Sequence, residues 1–253
     1  VGYRRRLVAE RHDLSFHEGV ASKRQKGPLD RKGQTSIANA VTRRYRILRP
    51  LAFSAARGRL ELAPFILLLT ALGASIAATR RGTLRRSGLR PQDETDIDSR
   101  FDALFEEAAP EFDVIGERTA EFLRWRYGDR RAGPFVVRSI VERDRLLGYA
   151  VLRLAGAKAY LADLLAVPGR IDVIETLLAD ALRLAQRAGA AGVECWLSNP
   201  HPYRAALRRQ GFVDSRLNVG VVYHPLAATT EDLRCLGDPA ARVHFQMGDS
   251  DLV

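Results

Sequence analysis

Five residues of this 253-residue chain are of types, and in surroundings, that could do chemistry: Asp163, Gly169, Arg170, Asn199 and Tyr203. Asp163 is the single carboxylate within the apolar run "AYLADLLAV", residues 159–167. Burial disfavours the charged form and would raise its pKa toward the range a general base needs. Edge exposure or an ion pair with Arg153 is the plainer alternative. Tyr203 lies in "NPHPYRAALRRQGF", residues 199–212. Its phenol could serve as a general acid, or simply pack beside the turn that Asn199-Pro200 opens.

Gly169 and Arg170 belong to "AVPGRIDVIETLL", just before a helical pattern. A helix N-terminus favours anions, because its first N–H groups are free and its dipole is positive there. Asp172 and Glu175, however, carry the spacing of a capping box. The Asp172 carboxylate would compete with an anion for the same donors and repel it.

The elements that must position these residues read as an α/β unit from residue 97 onward. "FDALFEEAAPEFD" and "ERTAEFLRWRYG" read as helices, with Trp125 and Tyr127 as packing residues. "FVVRSIV" and "LLGYAVLRL" form a hairpin across the charged turn "ERDR". Residues 159–167 are apolar on both faces, as a central strand is. A helix over 172–187 follows, with Ile174, Leu178, Ala181 and Ala185 at helical spacing. "GVECWLS", a short helix ended by Gly211, and "VDSRLNVGVVYH" complete the pattern. Gly211 accepts the left-handed conformation that closes a helix, and Phe212 then drops into the core.

Residues 1–90 are of another kind. They hold 20 Lys and Arg against 5 Asp and Glu, whereas the remainder holds 20 against 25. The basicity therefore belongs to this segment, and "RRSGLRPQDETD", residues 85–96, marks the boundary to a domain over 91–253. Residues 1–36 read as polar loop and residues 37–57 as helical with Pro50 an interruption. Only four of the 40 cations are Lys, a bias that points to a GC-rich bacterial genome rather than to nucleic acid. Nor are aromatics interleaved with the cations as a single-strand binder needs. The run "LAPFILLLTALGASIAA", residues 62–78, meets only the lower length limit of a spanning helix. It reads as a buried helix, as one left exposed by truncation, or as a membrane-spanning or membrane-lying helix, with surface contact through 57–86. Two distant cysteines fit a reducing cytoplasm, and five histidines without paired spacing exclude a zinc motif. Val1 in place of Met, and a first segment too short to be a complete domain, read as the truncated tail of an upstream half.

The order of hairpin, central strand, long helix, strand, "N…ALRRQGF" and strand resembles the GNAT-type N-acyltransferase superfamily. "ERTAEFLRWRYG", "LLGYAVLRL", "AYLADLLAV" and "HFQMGDSD" look more narrowly like bacterial GNAT-like proteins met with polysaccharide genes. The resemblance covers roughly residues 97–253. It implies a mixed, mostly antiparallel central sheet flanked by helices and preceded by the basic, partly helical segment. It also implies that acyl-CoA, most plausibly acetyl-CoA, lies in a V-shaped opening between the strands at 159–167 and 192–198.

By that resemblance Leu165, Ala166 and Val167 would offer backbone groups to the pantetheine arm. Gly169 and Arg170 would meet the pyrophosphate, and Asn199 would lie near the CoA. Asp163 would be the base and Tyr203 the acid, acting on a small-molecule or sugar amine without a metal. Two departures stand out: the pyrophosphate loop is about three residues short, and Leu207 occupies the position where relatives carry the acidic Tyr. They support an alternative, a GNAT-fold module that binds or assembles without catalysis.

Overall fold

The computed structural model of the chain describes residues 7–8, 14–19, 35–38, 41–55, 64, 67–68, 88–128, 133–225 and 234–250. Its centre is the hairpin of β7 (Phe135–Glu142) and β8 (Arg145–Ala155) with β9 (Lys158–Ala166). The hairpin turns through Arg143 and Asp144, both left-handed at φ 48° and 64°. Two positive φ values in a two-residue loop match the twist of the strands it joins. β9 runs antiparallel to β8 and parallel to β10 (Gly192–Ser198), so it is the central strand that its apolar sequence foretells.

β8 shows how the two sides of this sheet are covered. Neighbouring residues of a strand point to opposite faces. Gly148 lies against Val173 of α4 (Ile171–Arg187), whereas the next residue, Tyr149, meets Phe101 of α2 (Ser99–Ala108) with ring centroids 5.3 Å apart. α4 buries Val173, Ile174, Leu177, Leu178, Ala181 and Ala185, the stripe its spacing predicts. α2 begins on Asp98, whose carboxylate accepts from the Arg100 N–H at 2.9 Å. A 3-10 turn at Ala109–Glu111 replaces the end of the helix expected over 101–113, and the short strand β6 (Val114–Ile115) follows it. α3 (Ala120–Tyr127) follows.

The N-terminal expectation needs correction. Of residues 37–57, Val41–Ile47 form a strand, β4, and only Pro50–Ala55 form a helix, α1. "VTRRYRI" is β-branched and aromatic, and it buries Val41, Thr42 and Arg44. Such a segment fits a pleated, half-buried surface better than a helix. Pro50 opens α1 rather than interrupting it, because a first-turn N–H has no helical partner to lose.

β4 is inserted antiparallel between β10 and β11 (Val213–Pro225), so the sheet draws strands from both sides of the composition change at 85–96. Within 1–36, expected as loop, the backbone forms β1 (Leu7–Val8), β2 (Leu14–Gly19) and β3 (Thr35–Ser36). β2 and β3 pair with β11, and β1 pairs with β6. The rest of 1–36 lies outside the described residues. So does most of 62–78, where Leu67 and Leu68 are exposed. No helix among the described residues is long and apolar enough to cross a membrane.

The full sheet order is β2-β11-β4-β10-β9-β8-β7-β5, β5 being Gln92–Asp93. α5 (Arg204–Arg209) connects β10 to β11 and ends as its sequence predicts. Gly211 takes φ 80°, the Phe212 N–H reaches Leu207 O at 3.0 Å, and Phe212 is buried. β12 (Val243–His244) joins β1 and β6 in a small parallel sheet.

Gly148 is where this assembly tolerates least. A β-carbon there would stand 2.9 Å from Ala166 Cβ, from Leu165 O and from Val173 Cγ1. Gly148→Ala is expected to lower stability by about 1–3 kcal/mol through overpacking, read as a fall in the thermal midpoint.

Candidate active site at the parting of two strands

β9 and β10 pair only over Lys158–Leu161 and Gly192–Cys195, and beyond that point they part. The N–H of Val167 donates to Leu147 O, toward β8, so the alternating Leu164 and Ala166 present their groups to the opening. Unpaired backbone groups in a buried place need partners. The chain supplies them from two directions. Ala166 N donates to the Tyr203 hydroxyl at 3.2 Å, and that hydroxyl lies 3.5 Å from Ala166 O. Leu164 O accepts from Gln246 Nε2 at 3.0 Å. Ser198 Oγ donates to Val243 O and ties the β10 side to the same C-terminal segment.

Asp163 sits at the root of this opening with no exposed side-chain surface. Arg118, from the loop before α3 and also fully buried, brings Nε to 2.7 Å of Asp163 Oδ2. This is a close charge contact rather than an aligned hydrogen bond. Tyr149 and Tyr127 donate to the same oxygen at 3.2 and 3.4 Å, and the Leu164 N–H donates to Oδ1 at 3.0 Å. Arg118 Nη2 reaches Asp249 Oδ2 at 2.7 Å, so one guanidinium serves two carboxylates.

The expected rise in the Asp163 pKa is therefore corrected. Burial pushes it up and is the largest single influence, but Arg118, followed by His244, outweighs burial and holds it below the usual range. Its partner is Arg118, not Arg153, and it is ionised at neutral pH. Burial, then the charge of Asp163, pushes the Tyr127 and Tyr149 phenols well up, which keeps both as neutral donors.

Two histidines that the sequence did not single out link Asp163 to Tyr203. The backbone N–H of Tyr203 donates to His201 Nδ1 at 3.1 Å. In the neutral ring the proton is then on Nε2, which lies 3.0 Å from His244 Nδ1. His244 Nε2 in turn lies 3.9 Å from Asp163 Oδ1 and 3.2 Å from Gln246 Nε2. Burial first, then the neighbouring His244, depresses the pKa of His201; burial likewise lowers that of His244. Phe112 packs its ring 4.6 Å from His244 and 5.3 Å from His201.

Tyr203 is buried, and burial pushes its phenol well above its ordinary pKa, with the Glu111 charge adding to the rise. Glu111, also missed by the sequence reading, has a buried Oε2 without a hydrogen-bond partner among the described residues. Burial raises its pKa against the pull of Arg242. Leu207 is buried one turn from Tyr203, its N–H on Tyr203 O.

The remaining expected residues lie around the rim. Leu165 and Ala166 close β9, Val167 follows it, and all three are buried. Gly169, at φ 78°, faces open space. Arg170 makes a two-pronged pair with Asp172 at 2.8 and 2.9 Å. The capping box is corrected: the residue preceding α4 is Arg170, without a side-chain cap, and Asp172 lies inside the first turn. Glu175 instead pairs with Arg209 at 2.6 Å. Asn199 is not turned to the opening. It accepts from Arg44 Nη2 and donates to Thr42 Oγ1, both at 2.8 Å. Tyr127 belongs to the Asp163 cluster, whereas Trp125, though exposed, packs its ring 5.7 Å from that of Phe122.

Two measurements test this electrostatic core. Asp163→Asn leaves a buried guanidinium with Asp249 alone, and a loss of about 3–5 kcal/mol in chemical denaturation is expected. His201 and His244 resist protonation in the fold but not in the unfolded chain. The unfolded state therefore binds more protons once pH falls below the ordinary histidine value of 6.5. Stability should hold above that pH and decline below it, and a His201→Asn, His244→Asn double variant should flatten the decline.

Neither a family model nor a curated protein matches the chain. Solved structures do. A GCN5-related N-acetyltransferase from Anabaena variabilis aligns with TM-score 0.50 and 10% identity, over 83% of this chain and 45% of its own. Others from Sphaerobacter thermophilus (TM-score 0.46, 14% identity, 83% and 58%) and Kribbella flavida (0.47, 12%, 84% and 43%) lie nearby. The chain thus spans about half the length of these structures. At such identities the likeness speaks for the fold alone, and by the first of these alignments the chain carries the fold seen in that GCN5-related N-acetyltransferase.

Proposed function

We propose that the chain is an acyltransferase that moves an acyl group, acetyl in the simplest case, from acyl-CoA to an amine. The observation that carries this reading is the parting of the parallel strands β9 and β10, which leaves Leu164 O and Ala166 N as edge groups beside Tyr203. An extended, amide-bearing pantetheine arm is chemically suited to such an edge. In the reaction a neutral amine forms a C–N bond at the thioester carbonyl while the C–S bond breaks. The leaving thiolate would take the Tyr203 proton.

For the proton of the attacking amine we assign Glu111 rather than Asp163. A base needs a free oxygen, and the Asp163 oxygens are engaged by Arg118, two tyrosines and a backbone N–H. Glu111 Oε2 has no hydrogen-bond partner among the described residues, and burial raises its pKa. Asp163 then keeps β9, α3 and the C-terminal segment in register. The acceptor is a small-molecule or sugar amine. Use of acyl-CoA implies a cytoplasmic site of action, with residues 57–86 the stretch that would meet a membrane surface.

A second reading is a GNAT-fold module without catalysis that binds or assembles. The observations favouring it are the internal satisfaction of the opening by Tyr203 and Gln246, and the commitment of Arg170 to Asp172. Titration of acetyl-CoA into the full chain separates the two. Binding that weakens at least tenfold in Arg170→Glu supports the acyltransferase; no heat at millimolar ligand supports the module. With a turned-over amine in hand, Glu111→Gln should lower kcat by about 10²–10⁴-fold and remove the acidic limb of its pH profile. An unchanged profile would return the base to another residue.

A further inference from the structure

The opening between β9 and β10 is filled by the chain itself, and the groups that fill it have the chemistry of the donor they exclude. Gln246 is a primary amide; its N–H donates to Leu164 O. The Tyr203 oxygen accepts from Ala166 N two residues along the same edge. A pantetheine arm would present an amide N–H and a carbonyl to such a pair of groups. Gln246 belongs to Val243–Ser250, a segment that buries Val243, Phe245 and Met247 and is also held by polar contacts. Asp249 pairs with Arg118 at 2.7 Å and caps the Gln246 N–H at 2.8 Å. Arg126 donates to the carbonyls of Gly248 and Ser250 at 2.9 and 2.5 Å. Phe245 and Met247 are its buried apolar contribution beyond β12.

We infer that this segment is a built-in latch: Gln246 holds the acyl-CoA groove closed by occupying Leu164 O, and acyl-CoA binds by displacing Gln246 while Asp249 stays on Arg118. The inference rests on the acyl-CoA reading above. It assigns Gln246 a competitive role rather than a catalytic one. Such a latch would keep the apolar wall of the opening dry until a donor arrives, and would couple donor affinity to the order of the C-terminal segment.

The experiment uses the full chain and acetyl-CoA as the probe. Gln246→Ala removes the competing amide and should tighten acetyl-CoA binding by about tenfold in calorimetry, which is the loss of one competing hydrogen bond. In the unaltered chain, acetyl-CoA should speed amide hydrogen exchange across residues 243–250 while slowing it in β9. This second measurement decides the matter even where the variant fails to fold. Equal affinities, with exchange at 243–250 unchanged or slowed by ligand, would overturn the latch and leave the donor reading standing. Absence of acetyl-CoA binding in both proteins would overturn the donor reading itself, and the latch with it.

Discussion

The buried contact between Asp163 and Arg118 is the constraint on which the rest of this structure depends. Two unit charges withdrawn from water cost several kcal/mol each, and only mutual contact with further hydrogen bonds offsets that cost. The offset is supplied here from every direction. β8 sends Tyr149, α3 sends Tyr127, the loop before it sends Arg118, and the C-terminal turn sends Asp249. Each of these elements is thereby fixed to one register on the central strand. A slip of β9 by one residue would turn Asp163 to the other face and strand the guanidinium without its partner.

The same economy explains why the opening is closed. Strands that part leave donors and acceptors facing each other across a gap, and a buried gap cannot remain unsatisfied. Tyr203 and Gln246 bridge it from two separate segments of the C-terminal part of the chain, with His201 and His244 as the packing between them. Polar side chains at the heart of the molecule are thus a consequence of strand divergence. They are what an amide-rich ligand would have to replace.

Much of the architecture was legible in the sequence because periodicity and turn chemistry are local signals. The hairpin, the central strand, the long helix and the Gly211 stop all stand where alternation and glycine place them. β4 was not legible. Its residues read as part of a helix over 37–57, since nothing local says that Arg44 is buried against Leu197 O and Asp214 from distant strands. The site divided in the same way. Asp163 and Tyr203 were visible as polar residues in apolar runs, but the sign of the Asp163 shift depends on Arg118, 45 positions earlier in the sequence. His201, His244 and Gln246 carry no motif and matter only through tertiary contact. Glu111 fell within a segment read as helix through residue 113, and that helix in fact ends before it.

The insertion of β4 between β10 and β11 bears on how the chain reaches its native state. Thr42 and Asn199 are bonded across 157 residues of sequence, and β10 reaches β11 only through β4. The local hairpin of β7 and β8 can form early and at small entropic cost, whereas the seam at β4 waits for a very long loop to close. A strand made early in synthesis must therefore remain unpaired until β10 has left the ribosome. During that interval its exposed edge is the part of the molecule most open to wrong partners.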